Sequence, residues 1–159
     1  MDYPITAAIR VLWDRDIGFV PHLYDYVEKG GTSESARQLG VDEHAVVKTL
    51  IFETNEKKPL VVLMHGDRSV STKNLARRLG VKSVEPATPD RASRHTGYLL
   101  GGTSPFGTRT AMPVYVEATI FALEKIYING GKRGFLVEID PGVLKNILKI
   151  EEVDVGIEN

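Results

Sequence analysis

Short apolar segments with alternating or continuous hydrophobicity recur along the chain and predict a series of β-strands. The predicted strands cover residues 19–26, 46–52, 60–64, 114–117, 126–128 and 135–139, with a further short strand at 81–84. Polar turn residues at 55–58 predict one hairpin, and the glycine-rich segment 129–134 predicts another. The strand pattern therefore indicates a sheet that contains antiparallel pairs.

Helical periodicity and capping residues predict helices between these strands. Their predicted bounds are Thr6 to about Asp16, Thr32 or Ser33 to Gly40, Ser71 to Gly80, Thr88 to about Arg94, and Asp140 to about Lys149. Residues after Glu151 are acidic and are predicted to be loose. Because helices and strands alternate irregularly around hairpins, the pattern predicts a single α+β domain over residues 1–159 rather than a doubly wound sheet.

One short segment occurs twice. Residues 36–41 read Ala-Arg-Gln-Leu-Gly-Val, and residues 76–81 read Ala-Arg-Arg-Leu-Gly-Val. Two copies are too few for a solenoid. We interpret the repeat as two helices that end on the same type of glycine cap.

Lys48 interrupts one of the most apolar predicted strands. Alternation places it on one face with Val46 and Phe52 and places Thr49 on the other face. An ammonium group among apolar neighbours is costly unless it is paired or reaches water, so Lys48 is a candidate to hold an anion or a polarised carbonyl. The simpler interpretation is a lysine whose stem packs on the sheet while its charge reaches solvent.

Residues 97–107, Gly-Tyr-Leu-Leu-Gly-Gly-Thr-Ser-Pro-Phe-Gly, contain four glycines and a proline and predict an irregular loop. Backbone amides without side chains over them are good donors to a phosphate or a developing oxyanion, and Thr103 and Ser104 add hydroxyl groups. The spacing matches neither the phosphate loop of ATPases nor the dinucleotide-binding fingerprint. A tight turn is the simpler interpretation.

The composition excludes several kinds of chemistry. The 159 residues include no cysteine, which rules out thiolate nucleophiles, disulfides and cysteine zinc sites. The four histidines are not spaced as metal ligands, so we predict neither a metal nor a cofactor. A formal net charge of −1 argues against binding a long phosphate backbone but is compatible with binding the end of a nucleic acid. Without a membrane-length apolar run or a signal peptide, we expect a cytoplasmic protein that does not bind membranes.

Three ordered motifs resemble the YbaK/EbsC family, whose members are free-standing relatives of the editing insertion domain of bacterial prolyl-tRNA synthetases. The motifs are Val-Val-Lys-Thr-Leu at 46–50, Thr-Gly-Tyr-Leu-Leu-Gly-Gly-Thr-Ser-Pro-Phe-Gly at 96–107 and Ile-Tyr-Ile-Asn-Gly-Gly-Lys-Arg-Gly at 126–134. The resemblance covers nearly the whole chain. It implies an α+β fold around a mixed, curved, barrel-like sheet flanked by helices. It also implies hydrolysis of mischarged aminoacyl-tRNA, such as Cys-tRNA(Pro) or tRNA(Pro) bearing a similar small amino acid.

The same resemblance assigns roles to individual residues. It makes Lys48 the catalytic residue. The expected substrate-binding residues are Tyr24, Thr49, Gly101, Gly102, Thr103, Ser104, Pro105, Asn129, Gly130, Gly131 and Leu136. From their position rather than from the resemblance, Lys132 and Arg133, which lie together at a predicted hairpin turn, are expected to contact tRNA; the simpler interpretation is a solvated surface pair. The expected partner is the acceptor end of aminoacyl-tRNA, with a prolyl-tRNA synthetase as a candidate second partner.

Two positions depart from the family pattern. Asn129 stands where members often have Ser, and Leu136 stands where they often have Asp. Both positions border the pocket in those relatives, so the sequence does not fix which amino acid is removed, nor whether water or a substrate group attacks the ester. A second hypothesis is a non-catalytic regulatory module that binds an aminoacyl or nucleotide group in the same pocket. The intact Lys48 and glycine-rich loop favour the hydrolase.

Overall fold

A computed structural model describes residues 2–159 of the chain, which form a large mixed sheet with short helices on both faces and a second, two-stranded sheet. In chain order the elements are α1 (Ala7–Asp14), β1 (Val20–Leu23), α2 (Gly31–Leu39), β2 (Val46–Thr54), β3 (Pro59–His65), β4 (Arg68–Val70), α3 (Thr72–Leu79), β5 (Val84–Pro86), α4 (Pro89–Thr96), β6 (Val114–Glu117), β7 (Ile126–Lys132), β8 (Phe135–Ile139), α5 (Val143–Ile147), β9 (Ile150–Val153) and β10 (Gly156–Glu158). Short 3-10 helices cover Glu43–Ala45 and Ala118–Ala122. The α+β fold class predicted from the sequence is confirmed.

The main sheet has the strand order β1-β8-β7-β2-β3-β6-β9, and β5 pairs with the far end of β2. The pairs β2–β7, β3–β6 and β6–β9 are parallel, whereas the hairpins β2–β3 and β7–β8 are antiparallel. Strands β4 and β10 form a separate small sheet. Strand β2 lies at the centre of this order, where the β2–β3 hairpin meets the β7–β8 hairpin.

Alternation along β2 divides the apolar core between the two faces of the sheet. Val47 and Ile51 belong to the largest cluster, which packs against α1. Val46 belongs to a small cluster under α2, and Phe52 belongs to another cluster under α3. Lys48 lies on this second face, between the clusters covered by the two helices, as the alternation of the strand predicted.

Three of the five helix starts follow the predicted caps; α5 does not, since it begins at Val143 rather than at Asp140. The hydroxyl groups of Thr6, Ser71 and Thr88 accept hydrogen bonds from backbone amides in the first turns of α1, α3 and α4. The predicted cap of α2 at Thr32 or Ser33 is wrong, since the helix starts at Gly31 and its cap position is Gly30. The Thr32 hydroxyl lies 2.7 Å from a carboxylate oxygen of Glu43 and 3.1 Å from the carbonyl oxygen of Gly66 instead.

The C-terminal region differs most from the prediction. Instead of a helix to about Lys149 and a loose tail, α5 ends at Ile147 and the residues that follow form β9 and β10. The buried carboxylate of Glu117 accepts hydrogen bonds from the backbone amides of Val155 and Gly156, each 2.8 Å long. The short strand predicted at 81–84 also begins later, at Val84. No helix within residues 2–159 combines the length and the apolar character needed to cross a membrane.

Candidate functional site

A fork in the sheet defines the candidate site. Strand β7 pairs with β2 at Val46–Tyr127 and Val47–Ile128, and β5 pairs with β2 only from Phe52 onward. The residues that follow the β2–β7 pairs are Lys48 on β2 and Asn129 on β7. Each is thus the first residue beyond the paired stretch, at the point where the two strands separate.

The strand register extends this pair into a row across the sheet. Asn129 lies opposite Leu136 of β8, and Leu136 lies opposite His22 of β1. On the other side, Lys48 lies opposite Met64 of β3. Because directly paired residues share a face, Lys48, Asn129 and Leu136 lie side by side on the face that α2 and α3 cover.

The Lys48 side chain is half-buried, and its ammonium group donates a hydrogen bond to the carbonyl oxygen of Arg68 in β4. Burial lowers the pKa of Lys48, because the charged form loses hydration. The carboxylates of Glu43 and Asp67 oppose this effect without cancelling it, so the pKa remains below the usual lysine value. The ammonium group is thus held in a partly desolvated place with acidic groups near it.

A histidine pair fixes the turn that presents the Arg68 carbonyl. The rings of His44 and His65 stack with their centres 3.7 Å apart, and Nδ1 of His44 lies 2.8 Å from Oδ1 of Asp67. His65 is buried: its Nδ1 donates to the carbonyl oxygen of His44 over 2.7 Å, and its Nε2 lies 2.7 Å from the Thr119 hydroxyl. Burial lowers the pKa of His65, which favours the neutral ring that this arrangement needs. Sequence analysis missed this arrangement, because neither histidine stands at a recognisable spacing.

Asn129 ties the glycine-rich loop to the fork. Its Nδ2 donates to the carbonyl oxygen of Gly101 over 3.0 Å. Its Oδ1 accepts hydrogen bonds from the amides of Gly131 and Lys132, at 2.7 and 3.2 Å, across an irregularity in the β7–β8 pairing. Arg133 adds a second tie, since its Nε donates to the carbonyl oxygen of Leu100 over 2.8 Å. The loop is therefore held beside Lys48 by contacts from the neighbouring hairpin.

Part of the loop is used for its own structure. The amide of Gly102 donates to the carbonyl oxygen of Leu99 over 2.8 Å, and the Thr103 hydroxyl lies 3.4 Å from the same carbonyl oxygen. Ser104 is fully buried, and its hydroxyl accepts a hydrogen bond from the amide of Phe106. Pro105 is also buried. These groups stabilise the loop itself. Among the predicted site residues of the loop, Gly101 is the exposed one.

Glycine is required at the two positions where the loop meets the site. Gly101 has φ +88°, and a Cβ atom there would lie 2.8 Å from the Tyr26 hydroxyl oxygen. A Cβ atom at Gly102 would lie 2.8 Å from the backbone nitrogen of Arg133. A side chain at Gly102 would push the loop away from the β7–β8 hairpin, and one at Gly101 would collide with Tyr26 in the segment after β1.

The remaining predicted site residues are divided between the two faces. Tyr24 packs with Leu136 in the apolar cluster under α2, and burial raises the pKa of its phenol. Thr49 lies on the opposite face from Lys48, and its buried hydroxyl has no hydrogen-bond partner among residues 2–159. Gly130 packs against the ring of Phe135, where a Cβ atom would lie 2.5 Å away. The fold thus brings Tyr24 and Leu136 to the Lys48 face and directs Thr49 away from it.

Lys132 and Arg133 are exposed at the tip of the β7–β8 hairpin, where they were predicted. The guanidinium group of Arg133 lies 5.1 Å from the ring centre of Tyr26, in addition to its bond to the glycine-rich loop. Its contacts within the chain give it a structural role whether or not it also contacts RNA. Among residues 2–159, no group of three or more metal-ligating side chains is arranged to hold a metal ion.

Sequence comparisons identify the family of the chain. Residues 28–147 match the family described as the aminoacyl-tRNA editing domain. The chain is 28% identical over 143 residues to an Enterococcus faecalis protein named "Putative Cys-tRNA(Pro)/Cys-tRNA(Cys) deacylase EbsC", with 89% of this chain and 87% of that protein covered. It is also 32% identical over 120 residues to a proline–tRNA ligase of Thermodesulfovibrio yellowstonii. That match covers 73% of this chain but only 20% of the ligase.

Solved structures share the fold. The crystal structure of the hypothetical protein APE2540 superposes with a TM-score of 0.86 at 24% identity, covering 95% of this chain and 99% of that one. A structure titled as a putative trans-editing enzyme for prolyl tRNA synthetase superposes with a TM-score of 0.82 at 22% identity, covering 98% and 99%. At these identities the superpositions establish the architecture.

Proposed function

Because the chain belongs to the aminoacyl-tRNA editing domain family, we propose that it is a trans-editing hydrolase that removes a wrongly attached amino acid from tRNA. The proposed substrate is Cys-tRNA(Pro), or tRNA(Pro) bearing a similar small amino acid. The observation that supports this most strongly is the row in which Lys48 lies beside Asn129, whose amide holds the glycine-rich loop. In this proposal the terminal nucleotide and its ester bind between the Lys48 cation and the glycine-rich loop.

The chemistry needs little from the protein beyond positioning and charge. Water forms a bond to the ester carbonyl carbon, the bond to the ribose oxygen breaks, and that oxygen takes a proton as the free amino acid leaves. Negative charge develops on the carbonyl oxygen in the transition state, and a nearby ammonium group stabilises it. Lys48 supplies that ammonium group in this proposal, with the Arg68 carbonyl fixing its position.

Substrate choice is expected to depend on Leu136 and on the loop held by Asn129. Leu136 is buried with Tyr24 and presents an apolar wall on the Lys48 face. Apolar walls discriminate by shape, and one methylene group changes selectivity by only about 1–3 kcal/mol. We therefore propose overlapping rates for cysteine, alanine and serine, with tRNA or a synthetase partner supplying further selectivity.

The test is a deacylation panel with tRNA(Pro) charged separately with cysteine, alanine, serine and proline. We expect the wild type to release the small amino acids faster than proline, and Lys48→Met to lose about 10²–10³-fold in rate, the usual effect of removing one oxyanion stabiliser. Lys58→Met is the matched control, since Lys58 lies outside the site between β2 and β3. Thermal melting of both variants separates a lost site from a lost fold.

The alternative is a regulatory module that binds an aminoacyl or nucleotide group without turnover. Under that hypothesis the wild type would bind charged tRNA and release nothing from the panel. Such a result would reject the hydrolase even if Lys48→Met weakened binding.

A further inference from the structure

Two helices that cover the Lys48 face have the same framework but opposite charge. We call residues 31–43, which contain α2 and the following turn, the α2 segment, and residues 71–83 around α3 the α3 segment. The repeat noted in the sequence places Ala36 and Ala76 at equivalent buried positions on the sheet. The α2 segment has one cation, Arg37, and the carboxylates Glu34, Asp42 and Glu43. The α3 segment has the cations Lys73, Arg77, Arg78 and Lys82 and no carboxylate.

The equivalent arginines differ in their neighbours. Arg37 forms an ion pair with Glu34 one turn earlier in α2. At the position that corresponds to Glu34, the α3 segment has Asn74, whose Oδ1 lies 3.5 Å from Nη1 of Arg77. Asn74 can accept a hydrogen bond but leaves the positive charge of Arg77 uncompensated.

The unpaired cations of the α3 segment line one groove. A cavity of about 320 Å³ lies between α3 and β5, and Lys73, Arg77 and Lys82 line it together with the hydroxyl-bearing residues Thr72 and Ser83. Within residues 2–159, none of these three cations has a carboxylate oxygen within the 4.0 Å limit of an ion pair. The fourth cation, Arg78, pairs with Glu151 over 3.4 Å on an exposed surface.

The groove lies on the same side of the sheet as the candidate site. Leu75 and Ala76 anchor α3 on the cluster that contains Met64, and Met64 is the direct neighbour of Lys48 across β2 and β3. A ligand bound at Lys48 and a ligand bound in this groove would therefore contact the same face of the sheet. A chain with a net charge of −1 gains a local positive surface in this way.

We propose that the α3 segment binds the phosphodiester backbone of the acceptor arm of the tRNA whose charged end lies at Lys48. This inference rests on the proposed function and adds a binding surface to it. Three unpaired cations and two hydroxyl groups along one groove suit successive phosphates, which accept ionic and hydrogen-bond contacts without regard to base sequence. The α2 segment, with its excess of carboxylates, repels the same backbone.

The test measures how binding of a hairpin RNA with the sequence of the tRNA(Pro) acceptor stem depends on salt. The α3 variant is Lys73→Gln, Arg77→Gln and Lys82→Gln. The control variant is Arg15→Gln, Lys125→Gln and Lys145→Gln, which removes the same charge elsewhere. Fluorescence anisotropy between 50 and 200 mM salt gives the slope of the logarithm of the association constant against the logarithm of salt concentration. The magnitude of this slope should fall by about two to three in the α3 variant, at slightly under one per lost phosphate contact. The control should retain the wild-type slope.

The outcomes separate this surface from the proposed activity. An unchanged slope in the α3 variant, or an equal fall in the control, overturns the surface even if the wild type deacylates tRNA. A specific fall in the α3 variant supports the surface even if the wild type releases no amino acid from the panel, a result that would reject only the hydrolase. The proposed RNA-binding surface is also overturned if the wild type does not bind the RNA at 50 mM salt. The same holds if polyglutamate at equal charge displaces the RNA. Melting curves check that the glutamine variants remain folded, as their exposed positions lead us to expect.

Discussion

The α2 and α3 segments share the backbone of their C-terminal turns and carry opposite charge. Each helix ends on a glycine in the left-handed conformation, with φ 67° and ψ 36° at Gly40 and φ 70° and ψ 31° at Gly80. In each segment the amide of the valine after the glycine donates to the carbonyl oxygen of the buried alanine over 3.0 Å. The positions that contact the sheet are thus the same, and the charge is confined to the outward positions.

The two segments bring opposite charges to the sheet face on which Lys48 lies. On the α2 side, the Glu43 carboxylate supports the ammonium charge of Lys48 and so opposes the effect of burial on its pKa. On the α3 side, the equivalent position is Ser83 and the surface is positive. One helix segment therefore stabilises the proposed catalytic cation, and the other offers cations to the proposed RNA.

The largest expected effect is on the pH dependence of deacylation. If the Lys48 ammonium group is required, activity is present below the pKa of Lys48 and is lost as pH rises through it. Burial lowers this pKa, so the fall in deacylation rate at high pH, the alkaline limb of the profile, should lie below the usual lysine pKa. Glu43→Gln removes an influence that raises the pKa and should move the limb to lower pH, whereas Ser83→Ala should not.

The measurement for that prediction is a pH–rate profile of enzymatic release, with the uncatalysed hydrolysis of the ester subtracted at each pH. Thermal melting over the same range shows whether the fold persists. A limb at the same pH in wild type and Glu43→Gln would mean that the charged state of Lys48 does not control the rate. It would also remove the proposed role of the α2 segment.

A smaller effect is expected from exchanging the residues that distinguish Arg37 from Arg77. Asn74→Glu gives Arg77 the carboxylate that Arg37 has, so the log–log salt slope of RNA binding should fall by about one. Glu34→Asn frees Arg37 but should change the slope little, because the remaining carboxylates of the α2 segment still repel phosphate. Equal and opposite changes in the two variants would show that both helices contact the RNA.

The contrast between the two segments also shows what the sequence could predict. Glycine caps, N-cap hydroxyl groups and strand alternation are local signals, and they identified α1, α3, β6 and β8 with bounds close to those observed. Strands β9 and β10 were missed because they depend on pairing with distant β6 and β4 and on the Glu117 carboxylate. Local composition there is acidic and indicates only solvation.

The candidate site was only partly predictable for the same reason. Alternation placed Lys48 on the correct face, but its position beside Asn129 depends on a parallel register between strands about eighty residues apart. The resemblance identified Asn129 as a pocket residue without indicating that its amide holds the glycine-rich loop. Ser104 was expected to offer a hydroxyl donor, yet an irregular loop has no alternation to indicate that this side chain is buried.

The smallest expected effect concerns the shared framework itself. Gly40→Ala and Gly80→Ala each place a Cβ atom where no other atom lies within 4 Å, so the cost comes only from the positive φ angle. An L-residue in that conformation costs about 1 kcal/mol, and the two variants should lose nearly the same free energy of unfolding in urea. Gly102→Ala is the control, because Gly102 has no positive φ angle but its Cβ atom would lie 2.8 Å from the Arg133 backbone nitrogen, and this clash should cost more. If Gly80→Ala were much more destabilising than Gly40→Ala, the two segments would not be equivalent, and their opposite charges could no longer be compared position by position.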